Sequence, residues 1–151
     1  MKLAESEEKM TNLTKLRNWL LTFPLWDEGW VLHTDHTEAQ PGNSGLFPLG
    51  AEELSRREDV LGNVTVQCRY RFYLYRVTQQ ADPQANARWL LELQEWIRQQ
   101  SATGAAPQFG DDPKQERLRA EKGKLNEVSQ TGTGTYIVTL TAEFIKIYGG
   151  I

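Results

Sequence analysis

The chain has 151 residues and a mass of 17.3 kDa, the size of one domain. With 39% hydrophobic and 25% charged residues it carries enough apolar material for a core without disulfides or a structural metal, and its lone cysteine, Cys68, excludes a disulfide framework and any CxxC motif. Seventeen basic against 20 acidic side chains leave a net charge of −3, which argues against a protein whose main ligand is a nucleic-acid backbone.

The opening MKLAESEEKM is too acidic for a signal peptide, and no apolar run approaches the ~20 residues of a membrane span. From Glu5 to Phe23 the spacing predicts an amphipathic helix: Met10, Leu13, Leu16, Trp19, Leu20 and Phe23 recur at three and four residues. Glu5, Glu7 and Glu8 suit its start and Pro24 its stop. Leu25 to His33 mixes aromatic and β-branched residues, as a short strand would. Thr34 to Gly50, with two prolines and three glycines, reads as a long surface loop. The mixed charges of Glu52 to Glu58 read as a solvated edge or connection.

The clearest strand follows. Val64, Val66, Cys68, Tyr70, Phe72 and Leu74 alternate with Thr65, Gln67, Arg69, Arg71, Tyr73 and Tyr75, which predicts an apolar face turned inward and a polar face turned outward. Asp82-Pro83 is a cap followed by a first-turn proline, opening a helix to about Gln100 with Trp89, Leu90, Leu93, Trp96 and Ile97 on one face. Ser101 to Lys114 reads as a second long loop, and Glu116 to Ser129 as an irregular strand or hairpin broken at Gly123. The chain ends on a strand with Tyr136, Val138, Leu140, Ala142 and Phe144 on one face and Ile137, Thr139, Thr141, Glu143 and Ile145 on the other. The expected fold is α+β: an antiparallel or mixed sheet of about four strands, two helices packed on one face, in a single domain.

Chemistry is sparse. His33, Asp35, His36 and Glu38 are metal-ligand types, but the cluster is not HExxH and runs into a loop, so it reads as a polar strand-to-loop transition. Cys68 falls on the apolar face, where a structural cysteine is expected and a nucleophile is not. No catalytic, cofactor-binding or metal motif appears. The candidate contact residues are Arg69, Arg71, Tyr73 and Tyr75 on the outer strand face, and Trp26 and Trp30, which fall outside the helix stripes. An Arg/Tyr sheet face also admits a nucleic-acid reading, but the RNP pattern is missing.

The stretches GLFPLGAEELSRREDVLGN, VTVQCRYRFYLYRVT, ANARWLLELQEWIRQQ and TYIVTLTAEFIKIY, in this order, resemble the minor capsid or tail terminator (tail completion) proteins of tailed phages and prophages. The likeness spans about Thr14 to Tyr148 and rests on overall pattern, with no motif that assigns individual residues. It implies a small α+β subunit of a hexameric ring that caps the tail tube and receives the head. It further implies tail tube and head–tail connector proteins as partners, a location in the virion after assembly in the host cytoplasm, and neither enzyme activity, cofactor nor small-molecule substrate. A head-side connector or minor capsid component is the neighbouring alternative. On this reading the long loops would order against partners.

Overall fold

In the computed structural model, which describes residues 12–80 and 82–149, helix α1 occupies residues 12–20. The expected start at Glu5 lies outside the described residues. The end comes three residues before Phe23, where the chain tightens: Thr22 N donates to the Trp19 carbonyl (2.9 Å) and Phe23 N to that of Leu20 (3.1 Å). Strand β1 is only Val31–Thr34, because residues 21–29 spend their hydrogen bonds on turns.

The largest departure from the sequence reading is β2, Asn43–Glu58. About half of the expected Thr34–Gly50 loop and all of the charged connection belong to this 16-residue strand; the true loop is residues 35–42. Gly45, Pro48 and Gly50 looked like loop punctuation, yet each is accommodated by the strand. Gly45 is buried with no room for a side chain, since a Cβ there would meet the His36 carbonyl oxygen and, at 2.7 Å, Thr37 Cβ. Pro48 lies where β2 has lost β1 as a neighbour, so its missing N–H breaks no ladder. Gly50 follows at once, with φ +123°, across a bulge between Pro48 and Gly50.

A turn at residues 59–63 leads into β3, Val64–Gln79. Helix α2, Pro83–Ala102, begins as expected, with Asp82 as cap accepting from Ala85 N and Pro83 in the first turn. The segment after it is anchored: Phe109 is buried in the core, the Glu116 carboxylate accepts from Phe109 N and Gly110 N, and Asp111 N donates to the Ile145 carbonyl (2.7 Å). A short 3-10 turn at Pro113–Gln115 precedes β4, Arg117–Val128, and β5, Thr133–Tyr148. Near Gly123 the strand continues through bulges between Glu121 and Lys124 and between Leu125 and Glu127, with Lys122 at φ 59°.

The result is α+β, with a five-stranded mixed sheet in the order β1-β2-β3-β5-β4. The additional strand is β2, and only β1–β2 is parallel. The register sets Leu46 beside Leu74, Phe72 beside Leu140 and Leu118 beside Ala142, and both helices cover that face. Leu16, Leu20 and Phe23 from the first helical segment meet Trp89, Leu93 and Ile97 from α2 in one core. Trp19 stacks on Trp96 with ring centroids 4.8 Å apart, joining the helices directly. Among the described residues, no helix is long and apolar enough to cross a membrane.

Candidate interaction surface

Because strand side chains alternate, burying one face of β3 and β5 commits every second residue to the other. Arg69, Arg71, Tyr73 and Tyr75 stand there beside Glu143, Thr141, Thr139 and Ile137 of β5. β2 adds Phe47, opposite Tyr73 and edge-on to Tyr75 at 5.0 Å, and Tyr75 is in turn 6.0 Å from Tyr73. Among the described residues, no helix lies over this face. A groove of about 570 Å³ crosses it from Leu49 through Tyr73, Tyr75 and Ile137 to Arg119 and Lys124.

Phe47, Leu49, Arg119 and Lys124 were not among the sequence candidates. Phe47 and Leu49 were hidden by the loop-like GLFPLG, and the β4 residues by the irregular spacing around the bulges.

The arginines of this face are paired. Arg69 Nη2 and Arg119 Nη2 both reach Glu143 Oε1 at 3.2 Å, while Arg71 Nη1 is 3.3 Å and Arg69 Nη1 3.7 Å from Glu52. The carboxylates offset much of the positive charge that a phosphate ligand would need. What is left is an aromatic and aliphatic surface set in a neutralised lattice of charge, a composition suited to a protein partner.

The two tryptophans behave otherwise. Trp26 is half-buried against the core, 5.8 Å from the Trp89 ring, and Trp30 lies over Arg76, with the guanidinium 4.0 Å from its ring centroid. Both therefore serve intramolecular packing on the helix side and are not part of the outer face. Arg76 was not singled out in the sequence, yet it sits between Trp30 and Trp89 (3.8 Å) and pairs with Asp27 through Nη2. Burial pulls its guanidinium below the ordinary arginine value, and the hydrogen bond and charge of Asp27 oppose this.

The remaining candidates do not assemble a reactive centre. His33 Nε2 lies 2.9 Å from Asn43 Oδ1 and its ring is 5.0 Å from that of His36. Among the described residues, no group of three or more His, Cys, Asp or Glu converges to hold a metal. Cys68 packs against the core, and burial, followed by the charge of Glu53, raises its thiol above the ordinary value, with Lys146 acting weakly the other way. No known protein family matches this chain, and no curated protein matches it.

Proposed function

We propose that the protein is a non-enzymatic virion assembly subunit of the tail terminator type, forming a ring that caps the tail tube and joins the tail to the head of a tailed phage. The observation that carries this reading is the sheet face where Tyr73, Tyr75, Phe47 and Ile137 stand among paired arginines and, among the described residues, no layer packs over them. The resemblance of its sequence stretches, in order, to those of tail terminator and minor capsid proteins adds to it, as does the α+β architecture. A ring subunit needs contact surfaces more than it needs chemistry, and the conspicuous features of this molecule are surfaces. Its working location on this reading is the neck of the virion.

Mass measurement by light scattering and negative-stain microscopy, on the protein alone and mixed with tail tube protein, tests the proposal. A ring in either sample is the expected outcome; a monomer in both overturns it. Pull-down against tail tube protein and against portal or adaptor protein separates a terminator from a head-side connector or minor capsid component. A nucleic-acid-binding module using the same face predicts binding that falls steeply with salt. The Glu52 and Glu143 pairing disfavours that reading, and flat low-salt titrations would remove it.

A further inference from the structure

Strand β4 stands last in the sheet order, so one side of its backbone meets no other strand among the described residues. Its bulges begin only after Glu121; from Arg117 to Glu121 the register with β5 is unbroken, and the stretch holds neither proline nor glycine. Alternate residues of such a strand point their N–H and C=O groups away from β5. Leu118 belongs to the outward set, because its N–H donates to a side chain off the sheet, and Ala120, two residues on, belongs with it. Antiparallel pairing of two such stretches about Ala120 would set Arg119 opposite Glu121, so the nearest charges do not keep two copies apart.

What stands at this edge is helix α2. Ser101 Oγ accepts from Leu118 N at 2.9 Å, and Gln94 Oε1 accepts from Gly123 N at 3.1 Å. The two acceptors are seven residues apart, two turns of one helix face and about 10 Å along its axis at ~1.5 Å per residue. Gly123 is what lets the strand come so near Gln94: a Cβ there would lie 3.2 Å from Oε1 and 3.3 Å from Cδ. A groove of about 640 Å³ runs between the two elements, lined by Gln94 and Ser101 on the helix and by Leu118 and Ala120 on the strand. The helix thus holds the edge through side chains, with open space left beside it.

We propose that Gln94 and Ser101 guard the β4 edge, occupying outward N–H groups that would otherwise pair with β4 of a second copy. The carbonyl of an added strand is the same kind of acceptor as either side chain. The guard prevails because its acceptors are tethered to the same molecule and compete at a high effective concentration. This goes beyond the ring reading and does not depend on it.

The test uses the full chain. Gln94→Ala/Ser101→Ala removes both acceptors and keeps α2 intact, since alanine is the best helix former. Hydrogen exchange at the Leu118 and Gly123 amides should rise at least tenfold, and sedimentation velocity should show association at a concentration at least tenfold below that of the wild type. Gln94→Glu/Ser101→Thr retains both acceptors and should match the wild type. Ala120→Pro, added to the unguarded chain, removes an outward N–H from the middle of the stretch and should abolish the gained association.

Amides that stay protected in the double-alanine chain overturn the proposal. Freed amides without a gain in association also overturn it, because the body of the helix and the bulges would then suffice. Association that survives Ala120→Pro, or that appears equally in Gln94→Glu/Ser101→Thr, puts the contact elsewhere and has the same consequence. None of these outcomes turns on whether the wild type forms a ring.

Discussion

Arg76 shows how much one residue on the wrong-looking face can organise. Continuing the β3 alternation past Phe72 and Leu74 turns Arg76 toward the core, and its side chain is only 8% exposed. A cation there requires compensation, which comes from Asp27 and from the Trp30 and Trp89 rings, while Nε and Nη1 find no hydrogen-bond partner among the described residues. Asp27→Ala should therefore cost about 2 kcal/mol, below the ~3–5 kcal/mol of a fully buried pair because the Asp27 side chain is 41% exposed. Arg76→Met removes the buried charge itself and leaves Asp27 to water, so it should stay within about 1 kcal/mol of the wild type. Urea unfolding checks the order: a loss for Arg76→Met larger than for Asp27→Ala would mean that the cation–π contacts dominate. The signal for this cluster was present in the alternation, which was legible two residues beyond where the apolar run ends. Its partners were not, since nothing local in Asp27 or Trp30 says that β3 will pass beneath them.

At the level of elements, regular periodicity was readable, the edge strands β1 and β4 were legible only with loose bounds, and β2 was not. β3 and β5 have neighbours on both sides and one buried face, so their side chains alternate and the sequence displays it. Beyond Leu46, β2 has one neighbour and its residues from Pro48 to Glu58 are all exposed, so no burial pattern is imposed on it. Its glycines and proline then look like a loop. The outer-face candidates Arg69, Arg71, Tyr73 and Tyr75 were legible because they follow from β3 alone, whereas Phe47 and Leu49 needed β2 to be seen as a strand. The hairpin turn closing β2 carries its own prediction. Hydrogen bonds from Asn63, Leu61 and Gly62 hold the Asp59 carboxyl below its ordinary value. A depressed carboxyl stabilises the turn above the unfolded value of about 3.9 and ceases to do so as pH falls through the lower folded value. The Leu61 and Asn63 amide resonances should accordingly titrate together with a midpoint under 3.9, and Asp59→Asn should abolish that transition. Independent midpoints for the two amides would mean that the carboxylate does not organise the tip.

At the scale of the whole molecule, the described residues form a sheet with one face covered by helices, one face without a covering layer and two blunted edges. Along the β2 edge, Pro48, two bulges and the charges Glu52, Glu53, Arg56 and Arg57 oppose strand addition; along β4 two bulges and Lys122 and Lys124 do the same. On the proposed function, partners would be met by the uncovered face and by projecting turns and not by extension of the sheet. Tyr73 and Ile137 belong to that face without belonging to the core, so charges placed there should separate association from folding. Tyr73→Glu combined with Ile137→Glu is expected to lower the unfolding free energy by no more than about 1–2 kcal/mol, as surface and half-buried substitutions do. On the proposed function, the same pair should weaken capture of tail tube or connector protein at least tenfold, because two carboxylates would have to be desolvated in the contact. Surface plasmon resonance against the immobilised partner, run beside urea unfolding, reads both quantities. Partner binding unchanged in a variant of near-native stability would move the contact off this face and onto the hairpin turns, since the remaining face is occupied by the helices.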